Sequence, residues 1–175
     1  MQQPIILEAT RLRLLPAGEA WLQVLLAGPA TFTFTAGYPV AEGYCEFPGA
    51  VGYSLDSLRR SHPLDRVWWA PFLFLDRASR TVIGLGGFKG PPLERAVEIG
   101  YSVAPAYRGR GLATEAAETM VKRAFTDQRV ERVLAHTLPE ANASTRVLAK
   151  CGFVRAGEGA DPEAGVVWRW EKKRG

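Results

Sequence analysis

Histidine and cysteine are nearly missing from this sequence: there are two of each, His62 and His136, Cys45 and Cys151. Two cysteines cannot build a disulfide framework, and their separation leaves no local metal pair. Free, partly buried thiols are the expected state, and no metal is expected. So few histidines also give no basis for a Ser-His-Asp constellation. No apolar run approaches the roughly 18 residues that a membrane span needs. Residues 1–8 lack the basic start and small-residue cleavage site of a secretory leader, so a cytoplasmic location is expected. Internal repeats and low-complexity tracts are absent as well.

What is present has globular character. The chain has 175 residues, 47% hydrophobic and 23% charged. That suits one domain over 1–175, with a core that buries roughly 70% of the unfolded surface. The formal net charge of +4 suits a phosphate-bearing ligand, and would also suit nucleic acid. The basic residues are scattered, however, and the most regular helix has no basic face, so no nucleic-acid partner is expected. The one tight cluster, Lys172, Lys173 and Arg174, reads as a solvated tail.

Residues 5–15 read as a strand, with Leu12 and Leu14 alternating against Arg11 and Arg13. A short helix over 19–26 follows. Residues 28–53 read as a long irregular segment rich in Gly and Pro. Its aromatics, Phe32, Phe34, Tyr38, Tyr44, Phe47 and Tyr53, either line a pocket or pack onto a sheet. A helical turn or two at 55–60 precedes strands at 67–75, 81–88 and 96–103. Gly84, Gly86 and Gly87 loosen the middle strand, and no helix follows them, so they do not form a dinucleotide loop.

The strand at 96–103 alternates: Val97, Ile99, Tyr101 and Val103 face one way, Glu98, Gly100 and Ser102 the other. The best helix spans 112–125. Leu112, Ala116, Met120 and Ala124 form one stripe, Ala113, Ala117, Val121 and Phe125 its neighbour, with Glu115, Glu118, Lys122 and Arg123 toward solvent. A strand at 132–138 and a helix at 142–150 follow, with Gly152 as a left-handed cap. Strands starting at Phe153 and spanning 165–170 complete the chain. The pattern predicts an α+β fold, a mixed sheet with helices on both faces.

Residues 103–114 leave a strand, turn over Gly109 and Gly111, and open the long helix. A helix start carries unpaired N–H groups and partial positive charge. Glycines and the small Ala113 let an anion come close, and Arg108 and Arg110 add charge. A phosphate or pyrophosphate is expected there, the alternative being a merely tight turn. A Walker loop would need Lys-Ser or Lys-Thr, where Leu112 and Ala113 stand.

Arg108-Gly-Arg-Gly-Leu-Ala113 resembles the acyl-CoA loop of the GCN5-related N-acetyltransferase (GNAT) superfamily. Asn142-Ala-Ser-Thr-Arg-Val-Leu-Ala-Lys-Cys-Gly-Phe153 resembles the helix and Gly-Phe that close that family's core. Leu7-Glu-Ala-Thr-Arg-Leu-Arg-Leu14 resembles the start of the ribosomal-protein-alanine acetyltransferase branch. The resemblance implies a mostly antiparallel sheet split between two parallel strands, those ending at Val103 and Leu138. It implies acetyl-CoA as cosubstrate, its pantetheine arm against the backbone of Tyr101, Ser102 and Val103. The N–H groups of Arg108, Gly109, Arg110, Gly111, Leu112, Ala113 and Thr114 would hold its pyrophosphate, with Asn142 and Ser144 as further contacts.

By the same resemblance an amine attacks the thioester directly, and an N–H near Ser102 or Val103 stabilises the oxyanion. Glu98 is the candidate base, the alternative being an ion pair with an arginine of the sheet. Many relatives protonate the thiolate with a tyrosine of the second helix. Here Leu148 takes that place, and Ser144 is the candidate replacement. Ser144 or Asn142 would otherwise cap the helix. Tyr107 is expected to pack in the turn and His136 to be structural. The acceptor is expected to be a protein N-terminus or a small-molecule amine. A homodimer, and a catalytically silent CoA-binding module, remain open.

Overall fold

The computed structural model describes residues 5–47 and 49–175. The extreme N-terminus and Pro48, both parts of segments considered above, lie outside the described residues. In chain order the elements are β1 (Leu7–Glu8), β2 (Leu12–Pro16), α1 (Glu19–Ala27), α2 (Pro29–Ala36), α3 (Ala50–Arg60) and α4 (Arg66–Trp69). Then come β3 (Phe72–Asp76), β4 (Thr81–Phe88), β5 (Ala96–Val103), α5 (Leu112–Phe125), β6 (Arg132–Thr137), α6 (Ala143–Lys150), β7 (Val154–Asp161) and β8 (Gly165–Lys173). The strands form one sheet in the order β1-β2-β3-β4-β5-β6-β8-β7. Among the described residues β5 and β6 are its parallel neighbours, and the other pairs are antiparallel.

Each face of the sheet buries its own core. Leu12, Leu14, Phe72, Phe74, Ile99 and Val103 pack with α5 and α6 on one side. Leu15, Leu73, Leu75, Val82 and Leu85 pack with Leu22, Phe32, Leu55 and Leu58 on the other. The expected stripes of α5 are its buried face: Leu112, Ala116, Ala117, Met120, Val121 and Ala124. Helix α6 ends in a Schellman motif, in which Gly152 sits at φ 81°. Phe153 N–H donates to Leu148 O at 3.0 Å and Gly152 N–H to Ala149 O at 3.1 Å.

Several expectations are corrected. Residues 5–15 are a hairpin rather than one strand, closed by Ala9 N–H to Leu12 O at 3.0 Å. Part of the irregular segment 28–53 is helix α2, and α3 begins at Ala50. The Thr-Phe alternation of α2 imitates a strand, but Pro29 starts the helix and Gly37, left-handed at φ 79°, ends it. Phe32 is buried edge-on to Trp21 at 5.5 Å, whereas Phe34 is 93% exposed and packs on nothing. Residues 66–69 form a helical turn, and Pro71 delays β3 to Phe72.

Two polar expectations also change. Glu115 does not face solvent: it accepts from the N–H groups of Arg11 at 2.6 Å and Leu12 at 3.1 Å, fastening β2 to α5. Lys172 and Arg174 are no solvated tail, whereas Lys173, the last residue of β8, is exposed. The Arg174 guanidinium donates to the carbonyls of Phe125, Asp127 and Val130, closing the C-terminal end of α5, and Lys172 Nζ donates to Cys151 O.

The glycines of β4 now have a packing reason. A Cβ on Gly86 would stand 2.5 Å from Phe74 Cζ and 2.7 Å from Gly100 O. Phe74, fully buried, lies across the space those missing side chains leave. Gly86→Ala should therefore destabilise the fold by about 1–3 kcal/mol through overpacking. Urea denaturation checks it: a midpoint shift is expected, and an unchanged midpoint contradicts this reading of the strand.

Candidate functional site

β5 and β6 pair through Ala96↔Arg132, Val97↔Val133 and Glu98↔Leu134, and no further. Past that point β5 keeps β4 as its partner and β6 keeps β8. Their inner backbone edges then face each other across a wedge. Backbone N–H and C=O groups need partners. An extended ligand with amides of its own can bond to such edges as an added strand does.

Downstream of Val103 the chain turns into α5. Gly109 and Gly111 hold left-handed backbone, φ 74° and 76°. Among the described residues, the N–H groups of 109–114 donate to no protein acceptor, while Arg108 N–H donates to Pro105 O at 3.2 Å. No side chain caps the helix either. A run of unpaired donors at the positive end of a helix is an anion cradle.

The arginines around this cradle are held in place. Arg108 Nε donates to Val103 O at 2.9 Å, and its Nη2 lies 3.6 Å from Glu46. Arg110 stacks its guanidinium over Tyr107 at 5.1 Å, so Tyr107 packs in the turn. Arg11 is a third arginine, and sequence reasoning missed it. It donates to Arg110 O at 2.6 Å and pairs with Glu115 at 2.9 Å. Its Nη2 lies 3.3 Å from where a Cβ on Gly111 would stand. No local signal marks it, because the contact joins residues 99 positions apart.

On α6, Asn142 is the cap. Its Oδ1 accepts from Thr145 N–H at 2.9 Å, and Thr145 Oγ1 accepts from Asn142 N–H at 3.0 Å, a reciprocal capping box. Ser144 is thereby freed from capping and is half-buried. Tyr101 projects from β5 into the core shared with α5 and α6. Burial pushes its phenol well above the usual range, and the Ser144 hydroxyl draws it partly back. Cys151, at the end of α6, is buried, and its thiol is pushed up to about 11 by that burial.

Glu98, Gly100 and Ser102 face the opposite side. Glu98 pairs with Lys89 Nζ at 2.5 Å and meets His136 Nδ1 at 2.9 Å through the same carboxylate oxygen. The alternative of an ion pair with a sheet arginine is not what forms: the partners are Lys89 and His136, in a Lys89–Glu98–His136 cluster at the apex of the wedge. Ser102 Oγ donates to Tyr44 O at 3.0 Å and accepts from Glu46 N–H at 3.4 Å. It therefore anchors residues 41–47 over the far end of β5. Tyr44, half-buried there, has its phenol pushed up to about 12 by burial and by neighbouring Cys45. The described residues contain no cluster of three or more metal-ligating side chains. They also contain no helix long and apolar enough to cross a membrane.

A family model described as an acetyltransferase (GNAT) domain matches residues 26–154. An uncharacterized N-acetyltransferase of Bacillus subtilis, YnaD, is 36% identical over 64 residues, which cover 37% of this chain and 38% of that protein. The [ribosomal protein uS5]-alanine N-acetyltransferase of Escherichia coli is 25% identical over 122 residues, 69% of this chain and 61% of that one. Both matches span less than two thirds of the curated relative. The solved structure of RimL, a ribosomal L7/L12 alpha-N-protein acetyltransferase in complex with coenzyme A, superposes with a TM-score of 0.68 at 16% identity, covering 97% of this chain and 98% of that one.

The capping box gives a stability prediction. Asn142→Ala should cost about 1 kcal/mol by orphaning the Thr145 N–H. Chemical denaturation reads it, and a cost near zero would show that the side chain does something other than cap.

Proposed function

The chain belongs to the GNAT acetyltransferase family, and we propose that it is a single domain that moves an acetyl group from acetyl-CoA to a primary amine. One observation carries the reading: the wedge between β5 and β6 leads into the unpaired N–H groups of 109–114. The chemistry of the coenzyme fits both parts. Its pantetheine arm is a chain of amides, suited to the inner edge of β5 at Tyr101 and Val103, whereas Ser102, in register with Leu85, turns its backbone toward β4. Its diphosphate is an anion, suited to the cradle of residues 109–114 and the nearby Arg11.

Bound acetyl-CoA supplies an activated thioester. The protein's own groups do the rest. The N–H of Val103, on the wedge side of β5, faces the charge that develops on the carbonyl oxygen. Asn142 keeps its amide N–H donors, since its cap uses only the oxygen. Ser144 stands beside it as a second polar contact.

The acceptor nitrogen must be neutral to attack, yet amines are mostly protonated at neutral pH, with a pKa of about 8 to 10. Glu98 receives that proton, through water, with His136 next in the hydrogen-bonded chain. Lys89 holds the carboxylate in place. The acceptor enters from the face that carries Glu98, between this cluster and residues 41–47. Relatives named as uS5-alanine and L7/L12 acetyltransferases make a protein N-terminus the first acceptor class to test, with small-molecule amines second.

Free-thiol release from acetyl-CoA across a panel of amines and N-terminal peptides tests the reading. Transfer to at least one member is expected. Tight CoA binding with no transfer to any member would instead favour a silent CoA-binding module. Gly111→Glu should abolish CoA binding in calorimetry, because it puts a carboxylate and a side chain into the cradle. Glu98→Gln should lower turnover by roughly ten- to a hundredfold with little change in CoA affinity. Unchanged turnover of that variant from about pH 6 to pH 9 would remove Glu98 as the base.

A further inference from the structure

Among the described residues, one buried side-chain polar atom has no hydrogen-bond partner: the phenol oxygen of Tyr101. Such an orphan has lost its water partners and gained none in exchange. Native structures rarely keep one without a use. Its place in the fold suggests that use. Tyr101 pairs with Gly86 on β4 and lies beyond the last β5–β6 pair, Glu98↔Leu134, so it borders the open part of the wedge. Its ring packs against the α5–α6 core, on the face opposite Glu98. The phenol is near enough to α6 for Ser144 and Cys151 both to act on it. It nevertheless makes no hydrogen bond of acceptable geometry with Ser144.

On α6 itself no phenol is available. Leu148, which stands where the family resemblance would put a tyrosine, is 1% exposed and wholly part of the core. On this face the strand therefore offers the phenol that the helix lacks.

We propose that Tyr101 donates, from β5, the hydrogen bond that stabilises the leaving thiolate of coenzyme A, with Ser144 positioning the phenol. The proposal rests on acetyl-CoA occupying the wedge. In the transfer the amine nitrogen bonds to the acetyl carbon, the carbon–sulfur bond breaks, and the electron pair goes to sulfur. Tyr101 O–H donates to that sulfur and keeps its proton. The proton shed by the amine leaves through Glu98, and the thiolate takes a proton from solvent on release. Retention of the phenol proton follows from ordinary acidities: a phenol near 10 does not readily protonate a thiolate whose acid is near 8.5. Burial of Tyr101 widens that gap. The phenol is thus a permanent donor rather than a proton source.

The test is a titration of the thiol of bound CoA, followed by the ultraviolet absorbance of the thiolate, in the wild type, Tyr101→Phe and Ser144→Ala. Tyr101→Phe keeps the ring that fills the core. It should raise the pH at which the bound thiol titrates by about one unit, a tenfold change. It should also lower kcat by roughly ten- to a hundredfold with the KM for acetyl-CoA little changed. Ser144→Ala should move both in the same direction by less. An unshifted thiol titration in Tyr101→Phe overturns the proposal, and so does a larger effect from Ser144→Ala. A wild type that binds no CoA overturns the proposal together with the reading beneath it. A wild type that binds CoA and transfers acetyl, but shows no Tyr101 effect, overturns the proposal alone.

Discussion

Three residue pairs join β5 to β6, and the sheet parts where they end. Everything of chemical interest lies along that opening. Strands twist relative to their neighbours, and here each of the two diverging strands is held by an outer antiparallel partner: β5 by β4, β6 by β8. The opening is therefore framed by continuous hydrogen-bonded sheet on both sides. It is not a frayed edge. The outer ladders hold the inner donors and acceptors apart, and a ligand is left to supply what the missing pairs do not.

The wedge also separates two chemistries. Alternation along β5 sends Tyr101 toward α5 and α6, and Glu98 and Ser102 toward the other face. A thioester lying in the opening would meet a phenol on one side and a carboxylate–imidazole–ammonium cluster on the other. One side suits a departing sulfur, the other an arriving amine. The same parity places Ser102 where it ties down residues 41–47. The wall of the acceptor side is thereby attached to the strand that would hold the acyl group.

Much of this was legible in the sequence, and the reasons are local. The alternation of residues 96–103, the two apolar stripes of 112–125 and the glycines at 109 and 111 each follow from short-range rules. The cap at Gly152 is local too, whereas the choice of Asn142 over Ser144 as the other cap, and Thr145 as its reciprocal partner, came only with the structure. Helix α2 was not legible, because Thr-Phe-Thr-Phe alternates with a strand's period while its Gly and Pro boundary residues also suit a loop. Arg11 was invisible as a neighbour of the cradle, since only the packing of β2 on α5 brings it there. Lys89 and His136 reach Glu98 through the sheet from β4's end and from β6, so the cluster exists only once the strand order is known. The buried, unpartnered phenol of Tyr101 belongs to the same class. Its residue type and face were readable, but its lack of a partner is a property of the folded whole.

The central claim is that the free edges of the wedge and the amides of 109–114 together receive coenzyme A. An amide-resolved NMR titration with CoA tests it most directly. The account predicts that the N–H signals of residues 99–103 and 109–114 shift together and saturate at one affinity. Saturable shifts elsewhere on the protein, with those two segments unmoved, would contradict it.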